Sequence, residues 1–137
     1  MKRRIIVERI PGTMASVYEK ATRMVIESYY SQVAEEVVSK LKSGVILDLG
    51  TGPGYLPIEI VKMSPSIKVD GIDLTPKLIK IARENADKAG VANKLHFEVG
   101  NAAKLRFEDN SYNMVLSTGM LHMLKGPIKV INECYRV

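Results

Sequence analysis

The stretch Val45-Ile46-Leu47-Asp48-Leu49-Gly50-Thr51-Gly52-Pro53-Gly54-Tyr55 constrains this chain more than any other. An apolar run enters three glycines at alternate positions, and a helical segment leaves them. Without a Cβ the backbone can take positive φ, and a ligand can lie against the chain where the next helix presents free N–H groups. A glycine cluster alone is equally well an ordinary βα loop, so its context decides. The next β-branched run ends in Gly71-Ile72-Asp73, and Asp73 stands 19 positions after Gly54. That is near the offset of roughly 20 residues at which an acidic side chain accepts hydrogen bonds from ribose hydroxyls. Glycine loop and acidic strand end together point to an adenosine-type ligand.

The surrounding pattern places this loop in an α/β fold. Strands are expected at Val45–Leu49, Ile67–Ile72, Lys94–Val99 and Tyr112–Ser117, alternating with helices at Tyr55–Ser64, from Pro76 to Gly90, and onward from Gly126-Pro127. Such alternation is the mark of βαβ units and a parallel sheet. Thr75-Pro76 supplies an N-cap and a first-turn proline, and Gly90 a C-cap. Before the first strand, apolar residues from Met14 through Val25 and from Tyr30 to Leu41 recur at spacings of three and four. They predict a helical stretch from Thr13 to Lys42 with one apolar stripe, either a straight rod or two helices meeting near Ser28–Ser31. The expected division is an N-terminal arm and helical cap over 1–44 and a Rossmann-like core over 45–137.

At 137 residues the chain is sized for one core. Its 46% hydrophobic and 26% charged residues exclude a disordered or disulfide-built protein. The net charge of +5 owes three charges to Lys2, Arg3 and Arg4, and elsewhere the two signs are interspersed. No basic face for nucleic acid is expected. No apolar run approaches the about 20 residues of a membrane span, and Ile5-Ile6-Val7 is too short for an export signal. A single cysteine, Cys134, lies in an apolar helical stripe and reads as core, which suits a reducing cytoplasm. No metal-ligand constellation is visible.

Glycine spacing separates two ligands. The dinucleotide fingerprint sets its third glycine three positions after the second, whereas Gly52 and Gly54 are two apart, which disfavours a nicotinamide-dependent oxidoreductase. Asp48 followed by Gly50, Gly52 and Gly54 instead resembles, position for position, the first motif of the class I S-adenosylmethionine-dependent methyltransferases. The resemblance runs from about residue 14 to the end, through Asp73, Gly100-Asn101-Ala102, Asp109-Asn110-Ser111-Tyr112 and Leu121-His122. It implies a Rossmann-like three-layer sandwich with a mostly parallel sheet and an N-terminal helical extension. The implied activity is methyl transfer by in-line displacement to an acceptor the sequence does not identify, releasing S-adenosylhomocysteine.

Carried over by position, the resemblance gives roles to particular residues. Gly50, Thr51, Gly52 and Gly54 would cradle the methionine part of the cofactor, with Asp48 anchoring the loop and reaching its ammonium group. Asp73 would hold the ribose hydroxyls, Leu74 would pack on the adenine, and Asn101 and Ala102 would contact its edge. Asn101 replaces the commoner aspartate and removes a charge from that contact. Ser117 would close the pocket from the end of the fourth strand. Tyr18 would cover the methionine carboxylate or, as readily, belong to the core. His122 is the candidate base or acceptor-positioning residue, and His96 is read as structural.

Two departures matter. Asn113 stands where relatives carry aspartate, a position that supports the methyl-donor pocket in some of them. The family's C-terminal strands are missing, which would leave the fourth strand as an exposed edge open to a second copy or a partner chain. The expected acceptor is a small molecule. The competing expectation is a non-catalytic cofactor-binding module, or a fragment that needs a partner for activity.

Overall fold

The computed structural model of the chain describes residues 12–118, 120 and 124–137, and of residues 12–19 and 22 the backbone alone. Its elements follow the order α1 (Gly12–Lys40), β1 (Gly44–Leu49), α2 (Tyr55–Met63), β2 (Ile67–Asp73), α3 (Pro76–Lys88), a 3-10 turn (Ala92–Lys94), β3 (Leu95–Val99), β4 (Met114–Ser117) and α4 (Pro127–Arg136). All four strands are parallel, in the order β3-β2-β1-β4. Among the described residues no helix is long and apolar enough to cross a membrane.

Alternation along β1 and β2 sends side chains to two different layers. Ile46, Ile67 and Val69 meet Ala34 and Val37 of α1 and Leu56, Ile60 and Val61 of α2. On the opposite face Leu47, Leu49 and Ile72 pack against Val130 of α4, Val137, and Ala102 and Leu105 of the segment after β3. A third cluster joins Ile79, Ala82 and Ala86 of α3 to Phe97 of β3. Full burial of such side chains stabilises by about 1.5–3 kcal/mol each. Helices thus cover both faces of one parallel sheet, the Rossmann-like α/β sandwich expected from the sequence.

Helix α1 is continuous through Ser28–Ser31, the straight rod of the two expected forms, and ends at Lys40. Its apolar stripe is buried only in part: Ala34 and Val37 are buried, while Met24 and Val25 are 62% and 70% exposed. The reason is geometric. A helix of 29 residues is about 44 Å long, whereas the 6-residue β1 spans about 20 Å. Only the second half of α1 has sheet to lie against.

Strand β4 is also shorter than predicted, beginning at Met114 rather than Tyr112. Tyr112 leaves the ladder to donate its hydroxyl to Asp70 Oδ2 at 2.7 Å, and its amide donates to the Val137 carbonyl. Near that point Arg136 ties α4 to the segment before β4. Its guanidinium donates to the carbonyls of Phe107 and Leu105 and to the carboxylates of Asp109 and Glu133. β4 has β1 on one side and forms the edge of the described sheet on the other.

Candidate functional site

The strand order fixes where a site can form. From β1 the chain builds outward through β2 to β3, then returns to place β4 on the other flank of β1. β1 and β4 are therefore the neighbouring strands at which the order switches direction, and open α/β sheets bind their ligands in the crevice beyond the C-terminal ends of such strands. The glycine loop stands at that crevice.

Gly50, Gly52 and Gly54 all have positive φ, at 71°, 55° and 79°. The turn is held from behind, because the Gly50 and Thr51 amides both donate to the Ile72 carbonyl at 2.9 Å. The three glycines serve different ends. A Cβ on Gly54 would lie 2.9 Å from Phe97 Cζ, so this glycine lets α2 and α3 close on β3. A Cβ on Gly50 would lie 3.1 Å from the Met120 side chain. At Gly52 a Cβ would meet nothing within 4 Å, which leaves this part of the loop with open space in front of it.

Asp73 closes the loop from the neighbouring strand. Its Oδ2 accepts the Gly52 amide at 3.0 Å and its Oδ1 the Thr75 amide at 2.9 Å. Each oxygen retains acceptor capacity beyond these bonds. Gly71, two residues earlier, is a site residue that the sequence reading left out. A Cβ there would lie 2.6 Å from Thr51 Oγ1 and 2.7 Å from the Phe97 ring. The available signal was a glycine inside an otherwise β-branched strand, which marks a close approach.

Among the described residues three polar atoms around the crevice are buried without a hydrogen-bond partner: Asp48 Oδ1, Thr51 Oγ1 and Ser117 Oγ. Asp48 is 2% exposed. Burial drives its carboxyl from the usual carboxylate range up to about 7; the nearby Thr51 hydroxyl opposes this without making an aligned hydrogen bond, and the charge of Asp73 adds to it. Tyr30 of α1 lies near Asp48; burial and then that carboxyl's charge raise its phenol above the ordinary value. The Tyr30 ring packs against Tyr29 at 5.3 Å and Tyr55 at 5.9 Å between centroids, joining α1 to the first residue after the loop.

The remaining sequence candidates fall in several places. Leu74 is 67% exposed next to Asp73. Asn101 uses its side-chain carbonyl to accept the Ala103 amide at 2.9 Å, shaping the turn in which Ala102 is buried. Asn113 lies at the opposite end of the sheet from the crevice. Its amide donates to the Val45 carbonyl, its Oδ1 accepts the Val45 amide at 2.8 Å, and it fills the space over Gly44. It locks β4 to β1 rather than lining the crevice. His96 is exposed beside Glu98 and packs into no core. Cys134 is half-buried against the α4 core, and burial raises its thiol. The side chain of Tyr18 and all of His122 lie outside the described residues. Among the described residues no group of three or more His, Cys, Asp or Glu could hold a metal ion.

Residues 40–137 match the model of the methyltransferase domain family. Over 131 residues the chain is 30% identical to norajmaline N-methyltransferase of Rauvolfia serpentina, covering 93% of this chain and 44% of the relative. Over 130 residues it is 25% identical to a ubiquinone/menaquinone biosynthesis C-methyltransferase of Geobacter sp. (strain M21), covering 92% and 55%. It spans about half the length of these curated relatives. A solved structure from Methanococcus maripaludis, assigned to the S-adenosyl-L-methionine-dependent methyltransferases, superimposes with a TM-score of 0.79 at 21% identity. That superposition covers 99% of this chain and 62% of the other, and it supports the fold. Family model, relatives and glycine-loop geometry agree, and the chain belongs to the methyltransferase domain family.

Proposed function

We propose that this chain binds S-adenosylmethionine in the crevice above β1 and β2 and serves methyl transfer to a small-molecule acceptor by in-line displacement. The observation that carries the reading is the unpartnered Asp48 Oδ1 under a glycine loop whose central glycine faces open space. A cofactor with a cationic amino-acid end, a ribose and an adenine fits that arrangement. Asp48 supplies a buried anion for the ammonium, and Gly50 to Gly54 let the methionine part approach the backbone. Asp73, already fixed by the Gly52 and Thr75 amides, offers its remaining lone pairs to the ribose hydroxyls. Leu74 and the Asn101-Ala102 turn stand on the adenine side, and Ser117 closes the β4 side.

The bound cofactor supplies a methyl group on sulfonium sulfur, which leaves as a neutral thioether. The protein's contribution is then alignment more than proton transfer. His122 is assigned to the acceptor side and Tyr18 to the methionine end by their positions in the sequence. The small-molecule acceptor is supported by relatives matched over more than nine-tenths of this chain, which are named for norajmaline and for ubiquinone/menaquinone. The edge of β4 offers main-chain groups on which a second copy or a partner chain can add a strand.

Calorimetric titration with S-adenosylhomocysteine tests the site, with NAD as competitor. Binding that NAD does not displace, and that Asp73→Ala loses, supports it. A folded chain that does not bind would sink it. Binding with no turnover on a panel of amine, phenol and quinol acceptors would mark a cofactor-binding module instead.

A further inference from the structure

Asp48 presents an unusual electrostatic problem. A carboxyl group that is 2% exposed normally has a cation or several donors to hold its charge, and here one oxygen has no partner at all. Among the described residues the groups around it do not supply a cation. From β2 comes a second carboxylate, Asp73, and from the loop the neutral Thr51 hydroxyl. From α1 comes the Tyr30 phenol, backed by Tyr29 of the same helix and by Tyr55 of α2. β4 brings the apolar Leu116 into register with Asp48, followed by Ser117. Arg83 of α3 is committed to the Phe97 carbonyl.

We propose that Asp48 carries a proton while the crevice is empty and gives it up to solvent when a ligand's ammonium group docks beside it, so that cofactor capture is coupled to release of one proton. This deepens the cofactor reading above and rests on it. No bond other than Asp48 Oδ–H breaks, and the ligand's ammonium keeps its own protons. The carboxylate formed is the partner that the incoming cation requires, and the cation removes the reason for the carboxyl to stay neutral. Burial that already pushes this carboxyl to about 7 places the exchange in a measurable range. The crevice thereby discriminates between ligands. A molecule offering only the nucleoside and thioether leaves the proton where it is, while one carrying the amino-acid end displaces it.

The experiment is calorimetry of the full chain with S-adenosylhomocysteine at pH 6 and pH 8. Each titration is run in two buffers of different ionisation enthalpy, which counts protons directly. Close to one proton released per ligand at pH 6 and close to none at pH 8 is the expected result, with affinity about tenfold weaker at pH 6. Titration with 5′-methylthioadenosine, which lacks the amino-acid end, is expected to release none at either pH. Asp48→Asn, nearly isosteric but unable to become an anion, is expected to bind S-adenosylhomocysteine more weakly than wild type at pH 8, and what binding remains is expected to show no proton release and no dependence on pH. Binding at pH 6 without proton release overturns the inference and leaves the cofactor site standing, as does equal release from the methylthioadenosine or from Asp48→Asn. Absence of S-adenosylhomocysteine binding at both pH values overturns the cofactor reading as well.

Discussion

Asp73 and Gly52 are joined across the top of the sheet, the Asp73 Oδ2 accepting the Gly52 amide at 3.0 Å while Oδ1 accepts the Thr75 amide at 2.9 Å. One carboxylate thus shapes the glycine loop from β2 and starts the turn into α3. The residue proposed to bind the ribose is also the residue that positions the backbone beneath the methionine.

Asp73→Ala is therefore expected to fail twice. Losing two charge-assisted bonds to backbone amides destabilises the fold by about 1–3 kcal/mol, measurable by urea denaturation. S-adenosylhomocysteine affinity should fall more than the about tenfold that one lost hydrogen bond of about 1.4 kcal/mol explains. Asp73→Asn keeps one acceptor and should fall between wild type and alanine. Equal affinities for all three proteins would remove Asp73 from the site.

Gly52 and Gly71 separate ligand space from packing. Gly52→Ala places a methyl in open space and strains one left-handed residue, a cost of about 1–2 kcal/mol. The protein should remain folded while cofactor affinity drops sharply. Gly71→Ala drives a methyl against Thr51 and the Phe97 ring, and overpacking of this kind costs about 1–3 kcal/mol. Here the melting temperature should fall first. A Gly52→Ala protein that binds as well as wild type would show that no ligand lies against that glycine.

Burial of Asp48 makes stability depend on pH in a defined direction. Its folded-state value is raised from 3.8 to about 7, so the native chain holds a proton that the unfolded chain has lost between those limits. This contribution is complete below about 4 and is lost as pH rises through about 7. Asp48→Asn removes that slope. Relative to wild type the variant should gain stability on the order of a few kcal/mol between pH 4 and pH 8, read from denaturation midpoints across the range. Parallel pH profiles for the two proteins would mean that Asp48 is charged in the empty crevice.

Asn113 is expected to matter for the fold alone. Asn113→Ala removes the acceptor for the Val45 amide and should destabilise by about 1 kcal/mol, with S-adenosylhomocysteine affinity unchanged. Asn113→Asp restores an acceptor and should recover most of the loss. A change in affinity at unchanged stability would instead tie this position to the pocket.

The chain's local rules were legible from its residues. Val45 to Tyr55 reads as strand, turn and helix because β-branched residues, alternating glycines and a helical run each restrict the backbone within a few residues. The same holds for Thr75-Pro76 and Gly90 around α3, and for the spacing that sets Asp73 beside the loop. Burial was less legible where it depends on what lies opposite. The Met24 and Val25 stripe has helical spacing but no sheet beneath it, since α1 outruns β1. The resemblance left the role of Asn113 open, and its two hydrogen bonds to Val45 put it at the far end of the sheet.

By itself the sequence determined the strand–glycine–helix unit, the parallel α/β class and the acidic end of β2, because these follow from backbone freedom and periodicity along neighbouring residues. Only the tertiary structure decided that Gly52 faces open space while Gly54 and Gly71 are filled by Phe97, and that Asp48 is buried with an unpartnered oxygen. Those properties arise where β1, β2, β3 and α3 converge, and the free energy of a buried charge or a crowded Cβ is set by neighbours brought in from distant parts of the chain.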